Sequence, residues 1–208
     1  MPIAWAILLL FHPGGDGTNI YEDLHDKVTA WMTVHLGMLV FIPLMASAVY
    51  VLLRGVAGTA ARVSRIALVP FVIFYGAFEI TQGIAVGALV DELNGRSGMG
   101  RAMRADLVQD FAESILFRDF GIFSTIGTLG LITAMIAAGL ALRRCAGAPL
   151  PVGVLLGLSG LLIGAHPPPF GPIGLAIFVI AVLLFLRSQS TSPVSTAGGT
   201  QAGPEPHR

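Results

Sequence analysis

Glu79 is the residue whose type and setting most need a chemical explanation. It is the one charged residue in the apolar run Ile66–Val90. No Arg or Lys falls in that run or in Val28–Leu53. A carboxylate near the middle of a bilayer is costly, so it must be protonated, paired or beside water. At helical spacing its neighbours are Tyr75 at i−4, Gln82 at i+3 and Gly83 at i+4. Those positions share a face, which gives this helix a polar side at one depth. His35 is the only histidine well inside an apolar run. Counting from Val28 at 1.5 Å per residue, His35 lies about 10 Å deep. Counting back from Val90, Gln82 lies about 12 Å and Glu79 about 16 Å deep. The two runs are consecutive and therefore antiparallel, so His35 is expected to face Gln82 or Glu79. Imidazole beside carboxylate would keep Glu79 charged.

His12 and His166, each followed by proline, end two further apolar runs. They are expected at an outer rim, above His35. Three readings follow. One is a ligand or proton site of a transport or sensing protein, centred on His35 and Glu79 with Gln82 and Tyr75. The second is a membrane-embedded, metal-dependent enzyme with His12, His35, Glu79 and His166 as ligands, a countable set for zinc. Its spacings match no ligand motif, so metal and cofactor stay unassigned, and no residue is assigned as catalytic. The third is structural, with Glu79 protonated and bonded to Tyr75, Gln82 or His35. Gly157-Leu158-Ser159-Gly160 resembles the GxSG of rhomboid intramembrane proteases. The resemblance covers four residues, and rhomboids take their base from a histidine on a later helix. The last span here has none, so serine catalysis is not expected. Haem held by two histidines is not expected either, with only His35 inside a span.

The elements that carry these residues are membrane helices. Of 208 residues 54% are apolar and 12% charged, about half the charged share of roughly 25% in globular domains. Mean hydropathy is +0.80. That composition excludes a soluble globular domain, a disordered chain and a nucleic-acid binder. The fold class is all-α, a polytopic membrane bundle of about six transmembrane helices across residues 1–187. Val28–Leu53, Ile66–Val90 and Phe120–Leu142 each fit a span of roughly 20 residues. The charge-free stretch Cys145–Leu186 is too long for one span. It divides at His166-Pro167-Pro168-Pro169, because proline removes donors and clashes with helical turns. Its halves are about Pro151–Ala165 and Pro172–Leu186. Met1–Phe11 reaches only about 16 Å, so the first helix is expected to be short or truncated.

Arg54, Arg62, Arg65, Arg143, Arg144 and Arg187 follow alternate spans. Both termini are therefore expected in the cytoplasm, in the cell membrane. Residues 188–208 are Ser/Thr/Gly/Pro-rich and are expected to be a disordered cytoplasmic tail. Between the third and fourth spans, Met103, Leu107, Phe111 and Ile115 recur every four residues among charges. That spacing predicts an amphipathic helix on the outer surface, above an outward-facing polar pocket. Glycines at 153, 157, 160 and 164 share a helix face, as do Gly76, Gly83 and Gly87 approximately. Such rows serve close packing within the chain or a seam with a second copy or another membrane protein. Pro43 is expected to kink its helix. The partner classes are thus the lipid bilayer, a small solute or proton, and another membrane chain, with no nucleic acid. The single cysteine, Cys145, permits no intramolecular disulfide.

Overall fold

A computed structural model of the chain describes residues 1–14, 18–114, 116, 118 and 120–190. Among these the chain is helical, with no strand. The helices are α1 (Pro2–Leu9), α2 (Ile20–Leu24), α3 (Val28–Leu52), α4 (Thr59–Gly95), α5 (Arg101–Ala112), α6 (Ile122–Ala146), α7 (Leu150–Gly164) and α8 (Phe170–Ser190). Four of them, α3, α4, α6 and α8, are long and apolar enough to cross a membrane. α7 is apolar but has only 15 residues, about 22 Å against a hydrocarbon core of about 30 Å. α4 has 37 residues, so it is about 55 Å long and overshoots the bilayer. Its Arg62 and Arg65 at one end, and Asp91 and Glu92 at the other, extend past the apolar centre.

The long apolar runs of the sequence thus reappear as helices with their ends moved. The helix read over Ile66–Val90 begins at Thr59 and continues to Gly95. α8 continues through Ser188 to Ser190, into the first residues of the expected tail; 191–208 lie outside the described residues. α6 runs past Leu142 and stops at Gly147, whose φ of 64° suits the left-handed cap that only glycine adopts without strain. Arg143 and Arg144 sit in its last turn, where the helix dipole favours positive charge. Pro43 lies within the continuous α3, on its exposed side.

The large helices pack in a ring: α3 on α4, α4 on α6, α6 on α7, α7 on α8, α8 on α1, and α1 back on α3. The core between them holds Trp5, Leu9, Met38, Met45, Phe71, Tyr75, Leu131, Met135, Leu156 and Phe178. Glycines make the tightest crossings, as expected where close backbone approach replaces the hydrophobic effect. A Cβ on Gly139 would lie 2.7 Å from the Cα of Gly153, so α6 and α7 touch backbone to backbone. Gly160 and Gly164 likewise face Met135 and Thr128 of α6. The glycine row of α7 is therefore engaged inside the chain. Ser64 Oγ donates to the Ala134 carbonyl at 2.8 Å in the same core. The bundle's outer face is apolar, with Ile3, Leu10, Val40, Val51, Ile66, Leu129 and Leu183 exposed.

A second, smaller core caps one end of the bundle. Tyr21 and Leu24 of α2, Val86, Val90 and Leu93 of α4, and Val108 and Ala112 of α5 form it. Asn19 caps α2 by accepting from the Glu22 amide at 3.1 Å. Tyr21 Oη donates to Asn94 Oδ1 at 2.8 Å, and Asn94 Nδ2 donates to the His25 carbonyl at 2.8 Å. Arg101 pairs with Glu22 at 2.6 Å. α5 docks through Val108 and Ala112, while Met103, Leu107 and Phe111 stay exposed. The predicted apolar row thus faces away from the bundle, and Ile115 lies outside the described residues. At the opposite end Arg65 donates to the carbonyls of Leu53 and Val56 at 2.7 and 2.9 Å, closing the α3–α4 turn.

Candidate functional site

The site is built on an irregular stretch of α4. Residues Phe71–Tyr75 and Glu79–Ala85 are wound as π-helix. Wide turns of this kind insert a residue into the helix and are frequent at functional sites. Pro70 precedes the first of them, and its missing N–H and its ring disfavour an ordinary α-turn there. Tyr75 closes the first wide stretch and Glu79 opens the second.

Across from α4, His35 of α3 reaches Glu79. His35 Nδ1 lies 2.6 Å from Glu79 Oε2, with the two residues 2% and 0% exposed. Gly83 makes this approach possible, because a Cβ there would stand 2.3 Å from the His35 ring. The same glycine's carbonyl accepts from Trp31 Nε1 at 2.6 Å. Trp31 lies four residues before His35, on the same face of α3, and its ring centre is 4.3 Å from the His35 ring.

Two more histidines arrive from helix ends. His12 follows α1, and its Nδ1 sits 2.9 Å from the Pro13 carbonyl. His166 follows α7, and its Nδ1 sits 3.0 Å from Tyr75 Oη. Tyr75 Oη in turn donates to the Gly164 carbonyl at 3.3 Å. The ring centres are 5.2 Å apart for His12 and His35, 5.3 Å for His12 and His166, and 6.1 Å for His35 and His166. Three imidazoles thus form a triangle, with a carboxylate behind one and a phenol behind another. Among the described residues, the buried Nε2 atoms of His12 and His35 have no hydrogen-bond partner.

Burial pushes His12 down to about 4; the neighbouring His35 adds to the fall and the bond to the Pro13 carbonyl opposes it. Burial also pushes His166 down to about 4, against the pull of Glu79 and with added repulsion from His12 and His35. Both rings are therefore neutral near pH 7, with one nitrogen free to accept or ligate.

Of the residues singled out from sequence, His35, Glu79, Tyr75, His12 and His166 come together. Gln82 does not join them: its Nε2 donates to the Ala112 carbonyl and ties α4 to the end of α5. The second wide stretch spans Gln82, so ordinary i+3 spacing no longer predicts which way it faces. His12 and His166 are in ring-to-ring reach of His35. α1 ends at Leu9 and α7 at Gly164, and the turns that follow these helices carry the two rings toward His35. Gly171 allows the tight α7–α8 return, since a Cβ there would meet the His166 carbonyl at 2.2 Å and Leu9 Cδ1 at 2.8 Å. Trp31 was not singled out from sequence, although its i−4 spacing to His35 was a readable signal. Ser159 of the GxSG sequence is buried, and its Oγ has no hydrogen-bond partner among the described residues. The surface carries two shallow grooves, one near the start of α3 and one at the turn between α4 and α5. One is lined by Leu8, Phe11, Lys27, Thr33 and Val34, the other by Gly95–Met99 and Met103.

No protein family, curated protein or solved structure matches this chain.

Proposed function

We propose that the chain is a multi-pass cell-membrane protein whose bundle binds, or passes, a proton or small cationic solute at the His35–Glu79 pair. The supporting observation is the 2.6 Å contact between two buried ionisable groups in apolar runs that contain no Arg or Lys. A buried carboxylate needs a compensating positive charge, because an uncompensated ion in low dielectric is too costly to keep. Here that charge comes from a proton on the pair or from a bound cation. His12, His166 and Tyr75 surround the pair with further polar atoms that a purely apolar packing core would not need. In this reading α1 and α7 join the four longer helices in the membrane, giving six. The cap of α2 and α5 lies outside, both termini lie in the cytoplasm, and the site opens toward the outer surface.

The test compares wild type with Glu79→Gln, purified in detergent micelles. Thermal unfolding is followed across pH 5–8 and with Na⁺, K⁺, Mg²⁺ or Zn²⁺ added. The proposal expects at least one of these cations, the proton included, to stabilise the wild type while leaving Glu79→Gln unmoved. If Glu79→Gln unfolds at the wild-type temperature and both proteins ignore every cation, the pair is structural and the proposal fails.

A further inference from the structure

We infer that the three histidines form a site for one divalent first-row transition-metal ion, ligated by Nε2 of His12, His35 and His166. This rests on the cation-site reading above and names the cation. Three independent features carry it.

The first is which nitrogen each ring has already committed. Nδ1 of His12 faces the Pro13 carbonyl, Nδ1 of His35 faces Glu79 Oε2, and Nδ1 of His166 faces Tyr75 Oη. A carbonyl only accepts, so His12 carries its proton on Nδ1, and with Glu79 ionised His35 does too. Tyr75 Oη can donate to the Gly164 carbonyl while accepting from His166, so the same tautomer fits there. Each ring then offers a lone pair at Nε2. Metal-ligating histidines characteristically donate their other N–H to a carboxylate or backbone carbonyl in this way.

The second feature is spacing. A metal–nitrogen bond of about 2.1 Å puts an imidazole centre about 3.2 Å from the ion, so ligand rings at tetrahedral to trigonal angles have centres about 5.2–5.5 Å apart. Two sides of the histidine triangle, 5.2 and 5.3 Å, have that length. The third, 6.1 Å between His35 and His166, is longer. As they stand, no group of three or more His, Cys, Asp or Glu among the described residues could hold a metal ion. Binding therefore requires the side chains to move so that the long side closes by under about 1 Å and the three Nε2 atoms converge.

The third feature is charge and burial. Nε2 of His35, in a residue 2% exposed, has no protein partner among the described residues. A buried polar atom left in that state needs an explanation, and a role as a metal ligand is one. Glu79, behind His35, supplies negative charge to offset the ion. Neutral imidazoles suit Zn, Cu, Fe and Ni, whereas Mg and Ca prefer oxygen. With three protein ligands, a fourth coordination position is open to water or a small ligand. The groove lined by Phe11, Asp26, Lys27, Thr33 and Val34 adjoins the segments bearing His12 and His35.

The experiment uses the full chain in detergent micelles, purified through a streptavidin-binding tag, so that no polyhistidine is present. The protein is stripped with chelator, loaded with Zn²⁺ or Co²⁺, desalted and assayed for bound metal; Co²⁺ also reports its geometry by visible absorption. One ion per chain is expected in the wild type and in His25→Ala, a histidine of the cap far from the triangle. His12→Gln and His166→Gln should lose it. Tyr75→Phe, which keeps the fold's aromatic ring, should bind about 10–100-fold more weakly, as for loss of a group that orients a ligand. Retention of metal by His12→Gln and Tyr75→Phe at wild-type affinity would overturn the inference. So would a wild type that takes up no metal. In that case, a surviving Glu79-dependent response to protons or Na⁺ leaves the cation site standing and removes only the metal. Absence of any cation response removes both.

Discussion

Replacing Gly83 with Ala adds one methyl group at the point where α3 and α4 come closest beside the site. The new Cβ would stand 2.3 Å from Cγ and Nδ1 of His35 and 2.6 Å from its Cβ. Atoms cannot remain that close, so the imidazole must move. It has little room, because the rings of Trp31 and His12 are centred 4.3 and 5.2 Å away. Overpacking of this kind costs about 1–3 kcal/mol. Displacing His35 also breaks its bond to Glu79, and hydrogen bonds to charged groups contribute about 1.5–3 kcal/mol. Better helix propensity of Ala returns at most about 1 kcal/mol. The net destabilisation is therefore about 1.5–5 kcal/mol. Gly76→Ala is the control on the same helix, because nothing lies within 4 Å of its added Cβ. That variant should be neutral or more stable by up to about 1 kcal/mol. Unfolding in mixed micelles with increasing SDS, followed by the fluorescence of the two tryptophans, compares them directly. Trp31 touches the site, so its emission should also shift in Gly83→Ala. If Gly83→Ala and Gly76→Ala agree within about 0.5 kcal/mol, the close His35–Gly83 contact does not exist and the site geometry is wrong.

Tyr75→Phe should lower stability by about 1 kcal/mol, since it removes the hydroxyl that joins His166 to the Gly164 carbonyl; SDS unfolding measures it. Gly139→Ala should cost about 1–3 kcal/mol, because its Cβ would meet the Gly153 backbone at 2.7 Å and backbone cannot rotate aside. Gly157→Ala, whose Cβ would meet only Cγ1 of Ile136 at 3.4 Å, should cost less than half as much in the same assay. Metal-free protein should lose stability as pH falls from 6.5 to 4. His12 and His166 are held at about 4 in the fold against 6.5 in the unfolded chain. Between those values the unfolded state binds more protons, so stability is present above 6.5 and is lost on acidification. Each histidine contributes on the order of 3 kcal/mol by pH 4. His12→Gln should flatten this dependence in thermal unfolding scans from pH 4 to 7.

Composition and hydropathy determined the class and most of the helices, because a helix in lipid must satisfy its own backbone and present apolar side chains. Charge-free runs of adequate length can therefore be counted directly. The break at His166-Pro167-Pro168-Pro169 was equally legible, since proline's missing donor acts within a turn or two of sequence. That His35 would face Gln82 or Glu79 was readable too, because consecutive antiparallel helices share one depth scale and those two runs hold no other Asp, Glu, Lys, Arg or His. Other features depended on how helices meet. The wide turns in α4 changed which way Gln82 points, and no i+3 or i+4 rule contains them. That the rings of His12 and His166 meet that of His35 depends on how the ends of α1 and α7 pack in the bundle, which local sequence does not encode. Gly83 looked like a member of a packing row, yet its missing side chain admits His35, and the missing side chain of Gly171 leaves room for the His166 carbonyl. Sequence thus named the chemistry-bearing residues one helix at a time. Only the packed bundle brought imidazoles from three separate segments within ring contact, because that proximity is a property of distances between helices.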